Sequence, residues 1–482
     1  MFDVLPLGSV LNGRHRGDDL IAWDGTRPIF ANELVNDVAG LSLHLSGRAG
    51  EKWGLYCESS YHFLVGLLAM LHAEINPVLP MNAQPDVIRT LNEGVSGFVS
   101  DVDLACSHIA LPVSAVSATE IESVVNSITA VRDFSETKIE IYTSGSTGEA
   151  DVIPKNIGQF ESEVSTLELT WGDKIVASCF VATVSHQHIY GLLFRLLWPV
   201  CSGRAFCAKR FEFPEDLSAV IKRLYESYGT KTIIVSSPAH IKRVSDGVGL
   251  NDIGTYAELT FSSGGPLTFD SNVTYQTLTG SAVVEVFGSS ETGGVGFRAI
   301  ACGDQEGAES SLWKPLSGVQ IRQSIENNQL QVKSPYCFAN DWFEMGDVVS
   351  VGVDGRFTLR GRADRIAKIE EKRISLSGME ALLLKHDWVH EAKVLVLEGK
   401  RQCLGVVACL SNEGVVALRA GKKRDVVLVL KSYLEQVFES VLLPRKWRFV
   451  SELPINTQGK TVVGELQALF LMSEVGGGSN DE

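Results

Sequence analysis

The chain has 482 residues, 45% of them hydrophobic, which is enough for two or three domains with filled cores and too apolar for a disordered protein. Lysine and arginine number 43 against 58 aspartates and glutamates, so the formal charge is −15, which argues against a basic nucleic-acid surface or an anionic membrane partner. Nine scattered cysteines without a Cys-x-x-Cys pair suit reduced thiols in a cytoplasmic setting, the first residues lack the basic and apolar segments of a signal peptide, and the apolar run 63–71 is too short to span a bilayer.

Residues 1 to about 135 alternate short apolar strands, such as 53–57, with helical stretches, such as 61–72, the rhythm of a layered α/β sheet covered by helices. The β-rich run 138–141 then empties into Tyr142-Thr143-Ser144-Gly145-Ser146-Thr147-Gly148. Small residues leave the backbone N–H groups of such a loop open, and with its hydroxyls they form a nest for phosphate oxygens; a flexible linker is the plain alternative. It is not a Walker loop, because no Gly-Lys-Ser/Thr closes it, and Gly459-Lys460-Thr461 has Pro454 where that motif needs its first glycine. Val152 and Ile153 pair briefly before Pro154, and Asn156 with Gln159 predicts a capping box starting a helix whose buried face is Ile157, Phe160, Val164 and Leu167.

Three later strands end in the same way. Residues 231–235 reach Ser236-Ser237-Pro238, 258–261 reach Ser262-Ser263-Gly264-Gly265, and 282–287 reach Gly288-Ser289-Ser290-Glu291-Thr292-Gly293-Gly294. Because ligands of α/β sheets gather at the carboxyl ends of strands, four such endings predict a nucleotide-sized cleft. Asp354-Gly355 predicts a tight hairpin between 348–353 and 356–360. Beyond residue 362 the texture becomes charged, Ser377 with Glu380 predicts a second capping box, and strands 391–397 and 403–410 precede a helix from about 424 to 442. The expected organisation is a large layered N-terminal α/β domain over 1–362, a small C-terminal α+β domain over 365–470 and a flexible tail over 471–482.

Several side chains could carry chemistry. Glu291, in a glycine-bounded loop, is either a Mg²⁺ ligand bridging phosphates or a solvated glutamate. Asp347 accepts hydrogen bonds from ribose hydroxyls or serves a turn, and Lys460 projects one cation from a turn-rich segment or is a surface charge. His186-Gln187-His188 lacks zinc-ligand spacing, which leaves pocket-lining or packed histidines. Ser237, His186 and Gly293 are candidate walls of a substrate pocket. No Gly-x-Ser-x-Gly elbow occurs.

In order and approximate spacing, residues 142–148, Ser263-Gly264-Gly265, Phe287-Gly288-Ser289-Ser290-Glu291, 343–347, Gly361-Arg362-Ala363-Asp364 and 454–460 resemble the motifs of the adenylate-forming enzymes, which include acyl- and aryl-CoA synthetases, luciferases and peptide-synthetase adenylation domains. The resemblance covers nearly the whole chain. It implies ATP and a carboxylic acid, aryl or fatty-acid-like, bound between two domains hinged at Asp364. It also implies that Thr143, Ser144, Gly145, Ser146, Thr147 and Gly148 hold the β and γ phosphates, with Gly264 and Gly265 flanking adenine and Phe287 at its face. Gly288 and Ser290 belong to that nucleotide site, Glu291 to Mg²⁺, Asp347 and Arg362 to the ribose, and Lys460 to adenylation. The acceptor is then a phosphopantetheine thiol.

Two departures stand out. Ala150-Asp151 occupies the place of the usual Pro-Lys, with Lys155 four residues on, and an acid beside phosphates is expected to point away from them. Glu371 occupies the place of a glycine that usually lines the thiol channel, which counts against ordinary coenzyme A delivery. The segments 184–191 and 368–373 look like a bacterial subgroup of aryl polyene and related pathways, for which an acyl carrier protein is the natural acceptor; a coenzyme A ligase and a non-catalytic nucleotide-binding protein of the same fold are the alternatives.

Overall fold

The computed structural model describes residues 4–12, 18–104, 106–113, 116–144, 150–175, 179–245, 253–301, 304–305, 311–339, 341–369, 372–397, 402–438, 440–454 and 462–475. The chain is mixed α/β, and its packing separates two compact units. One comprises Met1–Ile321, Val332–Phe343 and Val353–Arg356; the other comprises Arg322–Gln331, Glu344–Gly352 and Phe357–Glu482.

The larger unit holds two layered sheets. In the six-stranded sheet, Lys52–Tyr56, Asn76–Leu79, Gly97–Ser100 and His108–Ala110 run parallel, as the alternating pattern of the first 135 residues predicts. Lys138–Ser144 continues that parallel set beside Asn76–Leu79 and carries the antiparallel edge strand Ala150–Asn156. Two expectations change here. Tyr142, Thr143 and Ser144 belong to the strand rather than the loop, since Tyr142 packs on the cluster of Val78, Ile88 and Phe98. The brief pairing expected at Val152 and Ile153 is a seven-residue strand, and Pro154 is tolerated in it because an edge strand need not donate on its outer side.

The nine-stranded sheet places Cys179–Ala182, Thr232–Ser236, Ala257–Ser262 and Ala282–Ser289 side by side and parallel. Between these sheets in sequence lies the helix Ile157–Trp171, started as predicted: Asn156 Oδ1 accepts from Gln159 N at 2.9 Å and Gln159 Oε1 from Asn156 N at 3.0 Å. Ile157, Phe160, Val164 and Leu167 are all buried on it. The helix Ser60–His72, which contains the apolar run 63–71, is buried along nearly its whole length, and among the described residues no helix is long and apolar enough to cross a membrane. The described cysteines are unpaired thiols, most of them buried.

The smaller unit pairs Phe343–Val351 with Phe357–Arg362, and Val389–Leu397 with Cys403–Leu410, which takes Lys446–Val450 in parallel on its other side. The hairpin at Asp354 and Gly355 turns through residues 352–356, with Gly355 at a φ of 80°. Packing groups its strands, Glu344–Gly352 and the residues from Phe357, with the C-terminal residues and its turn, Val353–Arg356, with the larger unit. Gly361, in register with Val348, lies close to Ser375 and Ser377 at the start of the helix Leu376–Leu383.

That helix is capped by Ser375, whose Oγ accepts from Gly378 N at 3.0 Å, and not by the expected pair Ser377 and Glu380. Glu380 is taken up elsewhere, accepting from Val394 N at 2.8 Å and pairing with Arg365 and Lys393. The helix expected over 424–442 stops at Glu435, preceded by Asn412–Ala420. The last helix, Val463–Val475, enters the stretch expected as tail because Leu466 and Phe470 join the apolar cluster of Leu395 and Val407. Residues 476–482 lie outside the described residues.

Candidate active site

In the larger unit three predicted strand endings sit next to one another. Ser236 is in register with Ser262, and Ser262 with Glu285, so Ser237, Ser263 and the residues after Phe287 leave the same edge of one sheet. Thr183, after the neighbouring strand, sets its hydroxyl 3.0 Å from Ser236 Oγ. Ser263 Oγ donates to Val286 O at 2.8 Å, and Gly264 follows in the left-handed region with a φ of 89°; it and Gly265 are exposed. Ser237 is buried and lies 3.0 Å from His240 Nδ1, a ring that burial and the Arg243 charge bring down to about 4 and so keep neutral. Phe287 is half-buried, its ring 5.6 Å from that of Trp313.

The segment after Phe287 is a tight, glycine-bounded turn. Ala282–Ser289 folds back antiparallel on Gly293–Ala299, and residues 290–292 form the turn, with Glu291 partly exposed at its tip. Gly288 and Gly293 permit this turn. A Cβ on Gly288 would strike the Gly293 carbonyl, and Gly293 itself sits at a φ of 65°. Ser289 N donates to Thr292 Oγ1 at 3.1 Å and closes the turn locally.

Beneath the turn is a polar network that the sequence did not bring forward. Phe338 N donates to Glu291 O at 2.7 Å, and Lys155 Nζ donates to Tyr336 O at 2.7 Å and Glu291 O at 3.4 Å. Glu163 Oε1 accepts from Gly294 N at 2.6 Å, the Tyr336 hydroxyl donates to Gly294 O at 3.0 Å, and Gln159 Nε2 donates to Cys337 O at 2.8 Å. Lys155 and Glu163 are 5% and 2% exposed, so their charges have little water to lean on. Burial raises the Glu163 carboxyl to about 7 against the opposing pull of the Lys155 ammonium and the Gly294 N–H, and burial lowers Lys155. The signal was present: Glu163 lies three residues after Phe160 and four before Leu167, on the apolar stripe of its helix.

His186 is 1% exposed, its Nδ1 2.9 Å from Ser60 Oγ and its ring 4.8 Å from that of Phe63. Gly293, the third proposed wall residue, is buried against Glu163 and Tyr336. In the smaller unit Asp347 and Arg362 are register partners across a hairpin, with Arg362 Nη1 3.5 Å from Asp347 Oδ2. Gly145, Ser146, Thr147, Gly148 and Lys460 lie outside the described residues, as do the side chains of Ser144, Asp151, Asp364, Lys368 and Glu371.

Comparison with solved structures finds the ATP-bound MatB from Rhodopseudomonas palustris at a TM-score of 0.77 and 16% identity, covering 97% of this chain and 99% of that one. A benzoate CoA ligase from Burkholderia xenovorans LB400 superposes at a TM-score of 0.74 and 16% identity, over 96% of this chain and all of the other. These likenesses concern the fold. Among sequences, a probable CoA ligase from Humulus lupulus is 24% identical over 380 residues, which are 68% of this chain and 60% of that relative. The AMP-binding enzyme family matches residues 31–332, well over half of the chain. On that match, and with its motif strands ending side by side as described, the chain belongs to the AMP-binding enzyme family.

Proposed function

We propose that this protein is an AMP-forming acid–thiol ligase. In the first step a carboxylate oxygen of the acid attacks the α-phosphorus of ATP, the bond to the bridging oxygen breaks, and pyrophosphate leaves. In the second a phosphopantetheine thiolate attacks the acyl carbon, the carbon–oxygen bond breaks, AMP leaves with that oxygen, and the thiol proton goes to solvent. The observation that carries this reading is the Glu291 turn, at the carboxyl edge of three adjacent parallel strands in a chain of this family.

In this reading the glycine loop wraps the β and γ phosphates, Gly264, Gly265 and Phe287 hold adenine, and Asp347 with Arg362 holds the ribose. Lys460 offsets the negative charge gathered between carboxylate and α-phosphate. Glu291 suits Mg²⁺, since its main chain is anchored and its side chain is partly exposed at the tip of the turn. A single carboxylate is an ordinary protein share of a Mg²⁺ shell completed by phosphate oxygens and water, and the ion there would neutralise phosphate charge. We place the mobile hinge at Asp364, between domains 1–362 and 365–470, and favour the phosphopantetheine of an acyl carrier protein over coenzyme A because Glu371 stands where a channel glycine is usual.

A screen of aryl and fatty acids for carboxylate-dependent exchange of labelled pyrophosphate into ATP tests the first step. Exchange with at least one acid is expected, lowered about 10²-fold or more in Lys460→Ala. ATP binding without exchange for any acid would instead support the non-catalytic alternative. Holo carrier protein and coenzyme A, offered side by side, separate the two acceptors.

A further inference from the structure

We propose that Lys155 and Glu163 are positioning residues that hold the turn carrying Glu291, the carboxylate assigned above to Mg²⁺, from below. The inference rests on the adenylation reading for its purpose and on hydrogen bonds for its geometry. The turn has two fixed sides. On one, the Glu291 carbonyl receives Phe338 N at 2.7 Å and Lys155 Nζ at 3.4 Å, so the main chain beside the metal carboxylate is tied to a buried ammonium. On the other, Gly294 is gripped through both its backbone polar groups, its N–H by Glu163 at 2.6 Å and its carbonyl by the Tyr336 hydroxyl at 3.0 Å.

Lys155 also holds the Tyr336 carbonyl at 2.7 Å, so the same ammonium fixes the residue whose hydroxyl completes the grip. The space around Glu163 is already full. A Cβ on Gly293 would collide with its carboxylate and lie 2.8 Å from Tyr336 Cδ2, and a Cβ on Gly294 would lie 2.8 Å from Leu316 Cδ1. A turn packed and hydrogen-bonded from below has few alternative positions. Lys155 belongs to the edge strand Ala150–Asn156 and Glu163 to the helix that follows, so strand, turn and helix share one buried network. A lysine on the strand following the loop thus acts through Glu291 rather than on a phosphate.

The test uses the full-length protein with Lys155→Met, Glu163→Leu and Glu163→Gln. Hydrogen exchange at the Gly294 and Phe338 amides is read without ligand, and calorimetric ATP binding is read across a Mg²⁺ titration. Glu163→Leu should lower Gly294 protection at least tenfold, Glu163→Gln should retain it because its amide oxygen still accepts, and Lys155→Met should loosen Phe338. Lys155→Met should also raise the Mg²⁺ concentration at half effect by at least threefold. Protection within twofold of wild type in all three variants would overturn the proposal, as would an unchanged Mg²⁺ midpoint. Wild-type protein that bound no nucleotide would defeat the adenylation reading, and amide exchange would still decide whether this pair holds the turn.

Discussion

Glu163 and Glu168 lie on one helix, each 2% exposed, and their surroundings assign them different work. Glu168 meets Arg204 through both oxygens, at 2.6 and 3.0 Å, and also accepts from Trp198 Nε1 at 2.8 Å. Arg204 donates further to the Ile175 and Gly172 carbonyls, so the charges are paired and held by several hydrogen bonds. Around Trp171 and Trp198 the aromatic rings of Phe194 and Phe261 complete a closed structural node. Glu163 has one backbone N–H, a lysine engaged with carbonyls and a glycine turn for company, and its carboxyl rises to about 7. A buried carboxylate fully matched by a guanidinium fastens a core, whereas one incompletely matched and placed under a functional turn remains responsive.

The contrast is sharpest under mutation. Glu168→Ala strands the Arg204 guanidinium and the Trp198 N–H in the interior, and should cost about 3–5 kcal/mol in urea unfolding. Glu163→Gln should act chiefly on pH dependence. The folded carboxyl titrates near 7 and the unfolded one near 4.5, so between those values the folded chain retains a proton the unfolded chain has lost, and stability falls as pH rises. That slope, up to roughly 3 kcal/mol across the window, should be absent from Glu163→Gln in urea titrations at stepped pH. Lys155, lowered by burial, gives a slope of the opposite sign below its ordinary 10.5.

Gly293→Ala introduces a Cβ at a φ of 65° against the Glu163 carboxylate and should cost about 1–3 kcal/mol, with loss of Gly294 amide protection. Glu291→Gln, at the partly exposed tip of the turn, should change unfolding free energy by no more than about 0.5 kcal/mol while weakening the Mg²⁺ dependence of ATP binding. A large stability loss in Glu291→Gln would erase the distinction between fastening and functional carboxylates.

Much of this was legible in the chain. The capping box at Asn156 and Gln159, the apolar face of its helix and the small polar endings after Ser236, Ser262 and Phe287 follow from local chemistry, because caps and strand ends are decided within a few residues. Glu163 was hidden because its partners, Gly294 and Tyr336, are more than a hundred residues away in sequence. The Ser377 and Glu380 capping box failed for a similar reason, since Arg365, Lys393 and Val394 claim Glu380 from outside its helix. Residues 288–294 read only as a glycine-bounded loop because glycine and serine composition does not show which of them pair as strand.

The oxygen atoms of the reaction give the most direct test of adenylation. With an acid found active in the exchange screen, labelled in both carboxylate oxygens, turnover in the presence of a pantetheine thiol should place one labelled oxygen on each AMP, read by mass spectrometry. AMP free of label, or formation of ADP in place of AMP, would contradict attack of the carboxylate on the α-phosphorus.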